Sequence, residues 1–132
     1  MVNINFNVVG VDDVTTDPTV RFKCSTNDGE SLHIGSDSTH AAGHIWQYKN
    51  NSWKRITGEL ASQGFRSVNS LIFKKGTLYA ATGRDYLDYG YGQVWSNNGS
   101  GWRTTGLTGT FNYNTLIRKL LKVGNDIYAV GS

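Results

Sequence analysis

Cysteine and proline each occur once in the chain, as Cys24 and Pro18. A lone cysteine excludes an intrachain disulfide, so no covalent staple stands in for a hydrophobic core. Long apolar runs are missing as well: apolar residues make up 38% of the sequence, and none of their runs is long enough to cross a bilayer as a helix. The opening MVNINFNVVG has neither the basic start nor the long apolar centre of a secretory signal, so the default expectation is a cytoplasmic chain with no membrane partner. Charge of one sign is not in large excess, since 13 Lys and Arg against 10 Asp and Glu leave +3. The basic residues are scattered at Arg21, Lys23, Lys49, Lys54, Arg55, Lys74, Lys75, Arg118 and Lys119. Nucleic-acid binders gather such charge on one face and interleave it with stacking rings, so the scatter argues against a nucleic-acid partner, and only folding decides whether these residues converge. Sustained helical periodicity is also absent; the one candidate, Leu116 to Leu121, is read as a strand.

What the chain has is glycine and aromatic rings: 16 Gly, 4 Trp, 7 Tyr and 5 Phe in 132 residues. This is too much ring surface for a disordered chain, and it points to a turn-rich globular protein. The rings recur. His44-Ile45-Trp46 followed by Trp53 returns as Gln93-Val94-Trp95 followed by Trp102, both tryptophans displaced by 49 positions. The same displacement of 49 carries Leu71-Ile72 onto Leu120-Leu121 and Leu78-Tyr79-Ala80 onto Ile127-Tyr128-Ala129. Within the unit, Val68 to Phe73 alternates as a strand, Lys74-Lys75-Gly76-Thr77 turns it, and Leu78 to Thr82 resumes. A second hairpin runs from Gln93 to Gly106 around the Asn97 to Gly101 turn. Each unit therefore reads as a four-stranded antiparallel meander. The chain divides into an N-terminal strand segment at 1–19, a first repeat at 20–66, a second at 67–115, and the first two strands of a third at 116–132.

A period near 49 residues with four strands per unit resembles a divergent kelch-like β-propeller repeat, and the likeness covers nearly the whole chain after about residue 20. The resemblance implies an all-β fold of propeller blades, each of four antiparallel strands. Propellers close with typically 4 to 8 blades. This chain holds about two and a half, so the ring is expected to be completed by homo-oligomerisation, or the chain is a piece of a larger propeller. Val2, Ile4, Phe6 and Val8 alternate with Asn3, Asn5 and Asn7 outside the repeat, and this spare strand is expected to complete the blade begun at Leu116, most simply in a neighbouring subunit. Short self-assembling propeller chains of this kind are often lectins, so the resemblance implies a non-enzymatic, lectin-like carbohydrate-binding module. A protein-interaction scaffold is the alternative.

Site residues should interrupt a repeat, because a rigid scaffold presents its variable loops. The segment that interrupts it most holds Arg84, Asp85, Tyr86, Asp88, Tyr89 and Tyr91, which combine rigid apolar faces with directional polar groups, the mixture that suits sugars or a protein hot spot. The equivalent loop of the first copy offers Asp37 and His40. The spacing of His40 and His44 would align two metal ligands only on a helix, and Gly43 and the strand context remove that geometry, so no metal and no cofactor is expected. Nucleophile-elbow, phosphate-loop, dinucleotide and zinc-protease motifs are absent, and no catalytic residue is assigned. Cys24, in phase with Phe22, reads as a small buried hydrophobe, and the four tryptophans read as packing residues because their positions repeat.

Overall fold

The computed structural model describes residues 20–37, 43–58, 60, 67–83, 93–105 and 117–131. Ten strands lie among them: β1 (Arg21–Asn27), β2 (Leu32–Asp37), β3 (Ile45–Lys49), β4 (Ser52–Arg55), β5 (Ser67–Lys74), β6 (Thr77–Gly83), β7 (Gln93–Asn97), β8 (Trp102–Thr104), β9 (Ile117–Val123) and β10 (Asp126–Gly131). Every strand pairing is antiparallel, and no α-helix occurs among the described residues. The chain is all-β. Ile117 to Leu121, from the one stretch with helix-forming composition, lies in β9, where pairing with β10 prevails over local propensity.

Tight turns set the pairing. Between β5 and β6 the two connecting residues Lys75 and Gly76 have φ of 48° and 80°, and between β3 and β4 Asn50 and Asn51 have φ of 52° and 61°. Positive φ at both central residues is the backbone of a type I′ turn, whose twist matches that of the strands it joins. The β1–β2 turn is instead held by side chains: Asp28 Oδ1 accepts from the amides of Glu30 (2.8 Å) and Ser31 (2.7 Å), and Asp28 Oδ2 accepts from the Ser31 hydroxyl (2.6 Å).

The strands β1 to β4 form one meander and β5 to β8 a second, while β9 and β10 form a separate hairpin. The repeat alone implies separate four-stranded sheets. The structure instead joins the two meanders into a single curled sheet of eight strands in half-barrel form. The physical reason is local. β2 pairs with β3 only through Leu32 to Gly35, so its last residue, Asp37, is left to pair with Ser67 at the start of β5.

Each unit's first strand carries an irregularity at the same place. The pairing skips Lys23 in β1, Asn69 in β5 and Arg118 in β9. Such bulges turn the strand and re-aim the extra side chain. Here Lys23 Nζ reaches the Ser67 hydroxyl (3.4 Å) and Asn69 Nδ2 donates to the carbonyl of Ile117 (2.9 Å), so each of these bulge residues ties its unit to the first strand of the next.

The second unit is packed on both faces. One face, with Val68, Leu71, Leu78, Ala80, Trp95 and Trp102, closes on Ile45, Ile56 and Cys24 of the first unit. The other, with Ile72, Tyr79, Ala81 and Val94, closes on Ile117, Leu120, Ile127 and Ala129 of the hairpin. Burying each large aliphatic side chain contributes about 1.5–3 kcal/mol, so these two layers dominate the cohesion of the described chain. Two tryptophans add directional bonds: Trp95 Nε1 donates to Thr82 Oγ1 and Trp102 Nε1 to the carbonyl of Ile56, each at 2.9 Å. The first layer is close enough to require a glycine. A Cβ on Gly35 would stand 2.6 Å from both Cys24 Sγ and Val68 Cγ1.

Candidate functional site

The residues Arg84, Asp85, Tyr86, Asp88, Tyr89 and Tyr91, together with His40, lie outside the described residues. The points where their loops leave the sheet are described. Ser67 pairs with Asp37, the last residue of β2, on one side and with Gly83, the last residue of β6, on the other. The two loops singled out from the sequence, following Asp37 and following Gly83, therefore depart from strand ends on either side of one residue. Two inter-strand spacings make that separation about 10 Å.

Asp37 itself is 4% exposed and already engaged. Arg21 clasps it with Nε on Oδ1 and Nη2 on Oδ2, both at 3.1 Å, and Lys23 Nζ stands 3.7 Å from Oδ2. This fork-on-carboxylate geometry is the stronger kind of ion pair, and it fixes the end of β2 against β1. At this position the carboxylate organises the loop's base.

The described histidines are polar packing groups. His44 Nδ1 lies 3.0 Å from Thr57 Oγ1, which also accepts the Ile45 amide (3.1 Å) and so has its proton to give to the ring. Burial first, then the charge of Arg55, lowers the His44 pKa below its ordinary value. His33, 4% exposed, takes the Gln47 amide at Nε2 (3.3 Å), and burial lowers its pKa too, against the opposing charge of Asp28. Both rings are neutral near pH 7. Among the described residues no group of three or more His, Cys, Asp or Glu is placed to hold a metal ion.

A groove with a volume of about 550 Å³ crosses the first strands of all three units. Lys23, Cys24 and Ser25 of β1, Asn69 and Ser70 of β5, and Lys119 and Lys122 of β9 line it. Burial pushes the Cys24 thiol up to about 11, against the lowering influence of the Gly35 backbone and of Lys23 and Lys119. At neutral pH it is a protonated, half-buried packing group. The groove was not legible in the sequence, because its lining residues come from three separate segments that are brought together only by the stacking of β1, β5 and β9. One signal was available: Ser70 and Lys119 are related by the same displacement of 49. Comparison of the chain with protein-family models, with curated proteins and with solved structures finds no match.

Proposed function

We propose that this chain is a non-enzymatic recognition module of lectin type, built from kelch-like propeller blades and completed into a ring by further copies of itself. The observation that carries the recognition reading is the pairing of Ser67 with both Asp37 and Gly83, which starts the two repeat-breaking loops side by side. One of them carries Tyr86, Tyr89 and Tyr91 with Asp85 and Asp88, rings for stacking on a sugar's apolar face and carboxylates for its hydroxyls. Rigid strands beneath supply the fixed base that such loops need.

The ring reading is supported by the hairpin. Leu121, Tyr128 and Val130 are 43%, 53% and 47% exposed, although the residues 49 positions earlier, Ile72, Tyr79 and Ala81, pack against the hairpin in the second core layer. A face that buries itself in one unit and meets solvent in the next calls for another unit. Among the described strands β10 pairs only with β9, which leaves its other edge for the alternating Val2 to Val8 segment of a second copy.

Glycan-array binding tests the recognition reading. Wild type is expected to bind a defined set of sugars, and Tyr86→Ala and Tyr89→Ala to lose that binding without loss of the folded mass. Binding to a folded protein that is insensitive to sugars would place the chain among interaction scaffolds instead.

A further inference from the structure

The contact between the first two units is repeated between the second unit and the hairpin. Val68, Leu71, Leu78 and Ala80 belong to the second unit's side of the first core layer. Displaced by 49 positions they become Ile117, Leu120, Ile127 and Ala129, and these four form the hairpin's side of the second layer. One set of positions thus serves as the leading face of a unit, packed each time on the trailing face of the unit before it. Such a contact joins two different surfaces, so it can be extended at either end.

Strand register places a third set of the same kind in the first unit. Phe22 pairs with Ser36 and Ser25 with Ile34, as Val68 pairs with Thr82 and Leu71 with Ala80, and the pairing slips directly after Phe22 and directly after Val68. Asn27 opposite Leu32 matches Phe73 opposite Leu78, and Ile34 opposite Trp46 matches Ala80 opposite Trp95. The leading face of the first unit is therefore Phe22, Leu32, Ile34 and Trp46. In the second unit their counterparts Val68, Leu78, Ala80 and Trp95 are all buried in the first layer. Phe22, Leu32 and Ile34 are only half-buried, and among the described residues none of the four belongs to either layer. At the other end of the chain the trailing positions Leu121, Tyr128 and Val130 are exposed. One apolar leading face and one apolar trailing face are thus left over, on the first unit and on the last.

We propose that the trailing face of the hairpin docks on the leading face of the first unit of a second copy, with Leu121, Tyr128 and Val130 set against Leu32, Ile34 and Trp46. The arrangement is the one by which Ile72, Tyr79 and Ala81 receive the hairpin within one chain. This rests on the ring reading and names the two surfaces that meet. Because they differ, copies associate head to tail, and hairpin does not face hairpin across a twofold axis. The spare N-terminal strand agrees with this. A Val2 to Val8 strand added to the β10 edge of one copy belongs to a chain whose first unit follows directly in sequence, which brings that unit to the hairpin.

The solution mass of the full chain, alone and in mixtures of variants, tests it. Ile34→Lys spoils only the leading face and Val130→Lys only the trailing one, because a lysine at either position would have to leave water on docking. Each variant alone is expected to have the mass of one chain where wild type exceeds it. An equimolar mixture is expected to reach the mass of two chains, because the Val130→Lys chain keeps a sound leading face and the Ile34→Lys chain a sound trailing face. Should Ile34→Lys fail to give a cooperative melt, Leu32→Lys takes its place. A wild type that assembles while the leading-face variant keeps its full mass overturns the head-to-tail contact and spares the ring reading; the copies then meet by other surfaces. A mixture that stays at one chain, at concentrations where wild type is fully assembled, also overturns the contact. Wild type found only as one chain removes the ring reading and the contact together.

Discussion

Asp28 shows how one side chain shapes both a turn and the acid stability of the chain. Slight burial raises its pKa, but the Ser31 hydroxyl and the Ser31 and Glu30 amides bind the carboxylate and bring it down to about 2, from an ordinary value of 3.8. Between those values the unfolded chain takes up the proton while the folded chain does not, so this contribution is complete above pH 3.8 and is lost as the pH falls toward 2. His33 and His44 act earlier on the same side. Burial depresses both below 6.5, the unfolded chain protonates first, and stability declines as the pH drops beneath that value. Urea midpoints measured from pH 7 to pH 2 should therefore fall in two stages, and Asp28→Asn should flatten the lower stage and, by removing the charge that opposes the lowering of His33, deepen the upper one. An Asp28→Asn profile that parallels wild type throughout would assign the lower stage to other groups. The turn at Asn27-Asp28-Gly29 was legible from residue type, since these residues fold back on their own backbone. The engagement of Asp37 was not, because Arg21 lies 16 positions away and meets it only through the β1–β2 pairing.

At the scale of elements, hairpins carry the design, and one of them is imperfect. Lys75 holds a φ of 48°, a left-handed conformation that costs a residue with a Cβ about 1–2 kcal/mol and that asparagine tolerates better. Its exposed ammonium gains only a long contact of 3.4 Å to Asn125 Oδ1. Lys75→Asn, which creates an Asn-Gly pair ahead of β6, should stabilise the chain by about 0.5–1 kcal/mol in denaturant titration; a lowered midpoint would mean that the contact outweighs the turn. Alternation and turn residues made the positions of β5 to β8 legible in the sequence, and the displacement of 49 extended that reading to β9 and β10. The bulges at Lys23, Asn69 and Arg118 were not legible, since an extra residue in a strand is defined by the partner it fails to pair with. Nor was the need for Gly35, which follows from how near Cys24 and Val68 approach.

For the whole molecule, the decisive feature is the outward face of the last hairpin. Leu121, Val123, Tyr128 and Val130 form an apolar set on a two-stranded sheet, and the ring reading covers that set with a second copy. The mass of wild type in dilute solution is expected to exceed one chain, with Val130→Lys shifting it to a single chain, because a lysine placed there would have to leave water on assembly. Wild type found only as one chain at all concentrations would remove the ring reading. By itself the sequence determined the all-β class, the period of the repeat, and which residues alternate toward a core, because strand periodicity and turn chemistry act between neighbours in the chain. Only the tertiary structure decided that the two meanders join at Asp37 and Ser67, that the second unit is buried on both faces, and that Lys23, Lys119 and Lys122 share a groove. Those outcomes depend on which strand ends remain unpaired and on how apolar faces stack, and residues tens of positions apart settle them together.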